Sequence, residues 1–294
     1  MIYGNKKLKI SVVSGKGGVG KSMLTSALSM LFSKKEKIVA LDCDADTPNL
    51  AIWLNEVEKW DKKIPVFVSK KPEFDFKKCK GCGLCEKNCR FLAIKMIKGK
   101  PHLNPFLCEG CGACEIICPQ GAIKLRLFQT GQIKIKKTKY GFPLVSGQLF
   151  PGETGSGKIV DEIKKEGEKF NYKIMLIDSA PGTGCPVISS LRDTNFAILI
   201  TEPTISGFSD LKKILKLIYH FNIPWGLVIN KWDINPKLTE KMERWAQDKF
   251  LGKISYDKKI FQAINYLKPI LETKLKAKME IESIYQKLNK FFLW

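Results

Sequence analysis

Arginine and histidine are scarce in this sequence. Only four of its 50 Lys+Arg residues are arginine (Arg90, Arg126, Arg192 and Arg244), and there are two histidines, His102 and His220. Sequence-specific reading of bases leans on the bidentate guanidinium, and single-strand binding leans on basic stretches interleaved with aromatics. Neither pattern is present, so no nucleic-acid partner is expected. Long hydrophobic runs are also absent: nothing approaches the ~20 apolar residues that span a bilayer, and a membrane role is not expected. The opening MIYGNKKLKISVV runs directly into a strand without the apolar core of a secretory signal, which points to the cytoplasm. In that reducing compartment cysteines read as ligands and not as disulfides. The two histidines lack ligand-like company and read as surface or packing residues.

What is abundant is lysine, which gives a net charge of +21. Residues 70–139 carry sixteen basic and five acidic side chains. Most of this is expected to be a solvated lysine surface, with an acidic protein partner as the functional reading.

Short apolar runs alternate with amphipathic stretches at both ends of the chain. Strands are expected at Leu8–Val13, Ile38–Leu41, Ile174–Ile177, Phe196–Ile200 and Leu227–Ile229. Helices are expected at Ser22–Phe32, Val160–Phe170, Ser209–Phe221 and Pro236–Asp248. Fully apolar strands separated by helices predict an α/β fold, a mostly parallel sheet with helices on both faces. Between Ile64 and Phe128 this rhythm is replaced by two cysteine-rich turns, followed by strand-like alternation over Gln132–Thr138. The expected organisation is a nucleotide-binding domain built from residues 1–63 and 129–294, with a small α+β module at 64–128 inserted into it.

Gly15-Lys16-Gly17-Gly18-Val19-Gly20-Lys21-Ser22 matches G-x-x-x-x-G-K-[ST] between an expected strand and an expected helix. Glycine amides and the helix N-terminus would cradle phosphates, Lys21 would reach the β/γ oxygens, and Ser22 would offer its hydroxyl to Mg²⁺. With Lys16, this KGGVGKS loop resembles the deviant Walker A of the MinD, ParA, Mrp and nitrogenase-iron-protein class. Three further segments are similar to that family: Asp42-Cys43-Asp44 to its first switch, Asp178-Ser179-Ala180-Pro181-Gly182-Thr183-Gly184 to its second, and Asn230-Lys231 to its base-reading segment. The resemblance implies an ATPase that closes as a nucleotide-dependent homodimer or pairs with a paralogue. In it, Lys16 would reach the partner's nucleotide, Asp42 would support Mg²⁺, Asp44 would position the attacking water, and Asp178 would belong to the catalytic set. Asn230-Lys231-Trp232-Asp233 also fits the NKxD of GTPases, so guanine remains an alternative to ATP. Gly152-Glu153-Thr154-Gly155-Ser156-Gly157-Lys158 imitates a second phosphate loop, but Ile159 stands where Ser/Thr is needed. It resembles the GExxSGK segment of ferredoxin-inserted MinD proteins, and a switch-adjacent loop is expected.

Eight of the ten cysteines lie in two copies of C-x2-C-x2-C-x3-C offset by 29 residues, CKGCGLCEKNCRFLAI and CEGCGACEIICPQGAI. This is the spacing of two-cluster ferredoxins, in which each fourth cysteine serves the other cluster. Cys79, Cys82, Cys85 and Cys118 are therefore expected to hold one [4Fe-4S] cluster, and Cys108, Cys111, Cys114 and Cys89 the other. Zinc knuckles pair cysteines across a wide gap and fit this pattern poorly. Arg90 follows Cys89 where Pro119 follows Cys118. The remaining two, Cys43 and Cys185, sit alone in the switch segments and read as small buried hydrophobes, with a dimer or metal partner as the alternative for Cys185, just after the glycines of the second switch.

The whole suggests a Mg-ATP-hydrolysing iron–sulfur protein coupled to electron transfer or cluster delivery, with an acidic redox or metal-cluster protein as partner. A positioning ATPase with structural or sensory clusters, or a static Fe–S scaffold, are the alternatives. At the C-terminal end Met279, Ile281, Ile284, Tyr285, Leu288 and Phe291, followed by Phe292, Leu293 and Trp294, form an apolar stripe. It is expected to pack on the sheet and not to lie on a membrane surface.

Overall fold

The computed structural model describes residues 7–292, so Leu293 and Trp294 of the C-terminal stripe lie outside the described residues. Two compact units emerge: residues 1–63, 133–148 and 156–294 form the first, and 64–132 with 149–155 form the second. The second unit thus includes 149–155, a stretch that the sequence reading gave to the nucleotide-binding domain.

In chain order the elements up to the cysteine region are β1 (Leu8–Ser14), α1 (Lys21–Phe32), β2 (Ile38–Cys43), α2 (Leu50–Trp53) and β3 (Lys62–Val66). The cysteine region holds β4 (Ser69–Phe74), α3 (Leu84–Lys87), β5 (Ile94–Ile97), β6 (Lys100–Leu103), α4 (Ala113–Ile116) and β7 (Ile123–Phe128). Then follow β8 (Gly131–Lys137), β9 (Pro143–Leu149), α5 (Ser156–Glu168), β10 (Ile174–Pro181), α6 (Cys185–Leu191), β11 (Phe196–Thr201) and α7 (Ile205–His220). The chain closes with β12 (Trp225–Asn230), α8 (Pro236–Ala246), β13 (Phe250–Ile254), α9 (Lys258–Asn265) and α10 (Lys276–Phe292).

One nine-stranded sheet runs in the order β13-β12-β11-β1-β10-β2-β9-β8-β3. The pairings from β13 through to β9 are parallel. Side chains of a strand alternate between faces, and here both faces are buried. Ile10, Val12, Ile198, Ile200 and Val228 join the core beneath α1 and α10. Val13, Ala197, Leu199, Leu227 and Ile229 join the core beneath α6, α7 and α8. This is why these strands read as unbroken apolar runs. β9 and β13 escaped the sequence reading because PLVSGQL and FLGKI are interrupted by Ser, Gly or Lys. Helix α7 begins at Ile205, four residues before its expected start, because the Thr204 hydroxyl caps it by accepting from Gly207 N.

The C-terminal stripe packs as expected where it is described. Ile281, Ile284, Tyr285, Leu288 and Phe292 are buried, Tyr285 stands edge-on to Phe32 at 4.9 Å, and Phe292 meets Phe196 at 5.1 Å. Met279 and Phe291, assigned to the same stripe, are instead 71% and 38% exposed. No helix among the described residues is long and apolar enough to cross a membrane.

Within the second unit β4 pairs with β7 and β5 with β6, both antiparallel. The two short ladders carry the cysteine turns and were not foreseen as strands.

Candidate functional site

The first unit places its glycine loop between β1 and α1. Gly20 has φ +93°, and a Cβ there would come 2.5 Å from Asn230 Nδ2. That amide, at the end of β12, donates to Val19 O at 2.8 Å and so fixes the loop's exit. Gly15 is demanded by packing, since a Cβ there would meet Asp210 Cβ of α7 at 2.5 Å. A cleft of about 280 Å³ opens beside the loop, and Gly17, Gly18, Gly20, Lys21, Ser22, Asp44 and Asn230 line it. Lys16, Val19, Asp42, Asp178 and Gly182 are not among the lining residues, although Pro181, next to Gly182, is. Trp53, Tyr256 and Phe261 add aromatic walls that sequence reasoning missed. Tyr256 sits on the β13–α9 turn and Phe261 within α9, far from any motif.

Beneath the cleft lies a set of carboxylates. Asp42 and Asp178 are register partners on the adjacent strands β2 and β10. Burial pushes the Asp42 carboxyl well above its usual range, and the charges of Asp178 and Asp44 push the same way. Hydrogen bonds from Leu50 N at 3.0 Å and Asp44 N at 3.4 Å only partly oppose this. Asp44 is likewise raised, mainly by burial, against the pull of Lys21. Asp178 is raised by burial and restrained by Lys21, Ser22 and Thr25. Thr25 is a further residue outside the motifs: its hydroxyl reaches Asp178 Oδ1 at 3.2 Å. Asp178 Oδ2 is buried and finds no hydrogen-bond partner among the described residues. The orphaned Asp178 oxygen, in a nest of carboxyls balanced chiefly by one buried lysine, suits an outer contact to a divalent cation carried in by phosphates.

Lys16 pairs with Glu202 at 3.1 Å, and Glu202 also takes Lys231 at 2.5 Å. Burial alone would raise the Glu202 carboxyl, but hydrogen bonds from Lys231 and Lys16 prevail and hold it below its usual range. Sequence reasoning did not single out Glu202, because TEP matches no motif it used. Asp233 accepts from Tyr256 N at 2.8 Å and does not line the cleft. Cys43 is fully buried in β2, and Cys185, expected to be buried, is exposed at the start of α6.

The second unit gathers the other eight cysteines around two small cavities. Cys79, Cys82, Cys85 and Cys118 line one. Cys89, Cys108, Cys111 and Cys114 line the other. The halves are related by the 29-residue repeat down to single contacts. Ala93 N donates to Cys89 Sγ and Ala122 N to Cys118 Sγ, both at 3.3 Å. A Cβ on Gly110 would strike Lys70 O at 2.3 Å, and one on Gly81 would strike Gly99 O at 2.5 Å. Pro72 lines one cavity and Pro101 the other. Burial pushes the Cys114 thiol up to about 11, and the neighbouring Cys108 and Cys111 add to it against amides of the α4 turn. Among the described residues no three His, Cys, Asp or Glu side chains approach closely enough to share a single metal ion.

Comparison with known proteins matches residues 10–270 to the CobQ/CobB/MinD/ParA nucleotide binding domain. An uncharacterized protein of Methanocaldococcus jannaschii is 37% identical over 294 residues, covering 97% of each chain. An iron-sulfur cluster carrier protein of Clostridium perfringens is 45% identical over 58 residues, 19% of this chain and 20% of that one. The fold is that of the septum site-determining protein MinD complexed with Mg-ADP from Pyrococcus horikoshii, with TM-score 0.63 at 19% identity and 98% of both chains covered. The chain belongs to the CobQ/CobB/MinD/ParA family of nucleotide-binding proteins.

Proposed function

We propose that this chain binds and hydrolyses Mg-ATP as a nucleotide-gated dimer, and that its second unit is a ferredoxin-like module with two [4Fe-4S] clusters serving a partner metalloprotein. The observation that carries the reading is the sorting of eight cysteines into two quartets around separate cavities, each completed by the fourth cysteine of the other repeat. Thiols too far apart to share one ion, yet facing a common void with amides donating to sulfur, suit a polynuclear group better than zinc. The likeness to part of an iron–sulfur cluster carrier supports the same reading. Bound there, the clusters would supply one-electron carriage.

For the nucleotide, Lys21 and the loop amides would hold the phosphates, while the Ser22 hydroxyl and the orphaned Asp178 Oδ2, directly or through water, would hold Mg²⁺. Burial strengthens Asp44 as a base, which suits it to orient and deprotonate the attacking water. Lys16 would leave Glu202 to reach the second protomer's phosphates. Asp233, the carboxylate a GTPase would aim at guanine, is engaged by Tyr256 N, which favours adenine.

Anaerobically prepared protein is expected to carry about eight irons and no zinc. Asp44→Asn should lower ATP turnover on the order of 10²-fold or more while nucleotide binding persists, whereas Lys21→Ala should weaken binding itself. Undiminished turnover by Asp44→Asn would sink the assignment. The redox reading is tested by titrating the clusters with and without ATP, where a nucleotide-dependent shift favours it over a positioning role.

A further inference from the structure

The duplicated cysteine unit presents one backbone twice, with two different surfaces. Each quartet turns one cysteine to solvent, Cys82 in the first and Cys111 in the second, so both are open to an outside group. Charge tells them apart. Residues 77–100 of the first repeat carry eight basic side chains and one acidic, Glu86, whereas the matching residues 106–129 carry two of each. All eight are exposed. Among the described residues only Lys78 of these pairs with a carboxylate, Asp75 at 3.8 Å. A lysine excess of general origin would load both repeats alike, and here it loads one.

The fold brings several of these charges to the mouth of the first cavity. Lys80 and Cys82 flank Gly81, and a Cβ there would meet Gly99 O at 2.5 Å. Gly99 lies in the turn of the β5–β6 hairpin, so its neighbours Lys98 and Lys100 stand beside the Lys80–Cys82 turn. Lys80 itself lines the cavity, as do Met96 and Pro101 of the two hairpin strands. Lys87 ends α3, the helix that carries Cys85. Lys98 has φ +49°, a position that asparagine or glycine fills at less cost in so tight a turn. At the second cavity Glu109 stands in the place of Lys80 and Ser69 in that of Lys98, and Lys71 is buried against Glu153. The exposed Lys70, whose carbonyl abuts Gly110, is there offset by the exposed Glu109.

Clustered like charges repel until an opposite surface covers them, and they steer encounter over a Debye length of about 8 Å. A second copy of this chain does not supply that surface, because its own net charge is +21. Nucleic acid is disfavoured by the scarcity of arginine and the lack of basic stretches interleaved with aromatics. The surface that fits is a protein face rich in aspartate and glutamate.

Resting on the two-cluster reading above, we propose that Lys80, Lys87, Lys98 and Lys100 around Cys82 form the docking surface for an acidic redox protein, which exchanges electrons with the first quartet. One electron crosses at a time: as one centre is reduced the other is oxidised, and no bond or proton moves. The iron-loaded full-length protein is titrated anaerobically with a small acidic [2Fe-2S] ferredoxin, and affinity is read calorimetrically at about 50 mM and about 500 mM salt. Lys80→Glu/Lys98→Glu should weaken binding about tenfold or more at low salt, and high salt should erase the difference. Lys216→Glu/Lys237→Glu changes the charge equally on α7 and α8 of the other unit and should alter affinity less than about twofold. Carbodiimide coupling of the unaltered protein, which does not depend on how a variant folds, should join ferredoxin carboxylates to Lys80, Lys87 and Lys98. Absence of binding, equal losses in the two variants, or cross-links confined to Lys70 and Lys124 overturns the proposal. So does an oligonucleotide that displaces the ferredoxin at equal concentration. With full iron content these results leave the cluster reading standing, whereas a protein that takes up no iron overturns that reading and this proposal with it.

Discussion

The two halves of the cysteine unit are nearly the same object built twice. Asp75 N bonds Ala122 O at 2.8 Å where Asn104 N bonds Ala93 O at 2.7 Å, and Leu92 N bonds Cys89 O where Gly121 N bonds Cys118 O, both at 3.1 Å. A duplicated segment that exchanges its ends in this way closes two equal cavities, and neither repeat closes one alone. The halves part company in what surrounds the turns. The first carries Lys80, Lys87 and an exposed Lys100. The second carries Glu109, the exposed Ile116 and Ile117, and the buried Lys71–Glu153 pair. Symmetry is therefore strict where cysteines must converge and relaxed where charge and solvent are adjusted. Spacing fixes where the cysteines converge, and the surroundings are free to differ.

The crossing of the quartets offers the largest effect by which this comparison can be broken. Cys118→Ser should strip the group bounded by Cys79, Cys82 and Cys85 and leave the other, taking iron from about eight to about four per chain. Cys89→Ser should do the converse. Iron analysis together with EPR of each variant decides the matter. Loss of the Cys108–Cys114 signal in Cys118→Ser would mean that each repeat holds its own cluster.

Next in size is the contrast between Lys71 and Lys100. Removing one partner of a buried ion pair leaves the other charge stranded and costs about 3–5 kcal/mol, so Lys71→Met should destabilise the second unit strongly. The equivalent Lys100→Met alters an exposed side chain, and its effect should stay within about 0.5 kcal/mol. Denaturant unfolding followed through the cysteine unit's absorbance measures both. Equal effects would remove the asymmetry.

Much of the site was legible because its chemistry is tied to short, ordered spacings. The glycine loop, the three switch aspartates and all eight cysteines are found where strand, turn and helix must fall, and seven of the expected residues do line the cleft. What escaped depends on tertiary approach. Glu202 matters because β11 ends beside Lys16 and Lys231, and Tyr256 and Phe261 matter because β13 is an edge strand beside the cleft. No local pattern encodes either. Glu153 stood out only as part of a segment that imitates a phosphate loop and was expected to be a switch-adjacent loop, and its neighbouring glycines meet Phe106 and Val68. Apolar periodicity likewise found the central strands, whose two faces are both covered, and missed β9 and β13, where glycine and polar residues interrupt the run.

The smallest effect concerns a single residue at which the repeats disagree. Leu92 has φ +53° and its counterpart Gly121 has φ +55°. Both donate their amide to the carbonyl of the fourth cysteine, so the turn demands a left-handed residue in either half. For an L-residue that conformation costs about 1–2 kcal/mol. Leu92 is 67% exposed, so little burial repays the strain. Against this, glycine frees the unfolded chain and gives back about 0.4–1 kcal/mol. Leu92→Gly should therefore stabilise the unit slightly, by about 0.5 kcal/mol. Gly121→Leu, made as its mirror, should cost about 0.5 kcal/mol by the same balance. Chemical denaturation of the two variants beside the parent reads both signs in one experiment. Should Leu92→Gly be the destabilising member, the exposed leucine is held by a contact that outweighs its backbone, and the two turns are less alike than their hydrogen bonds imply.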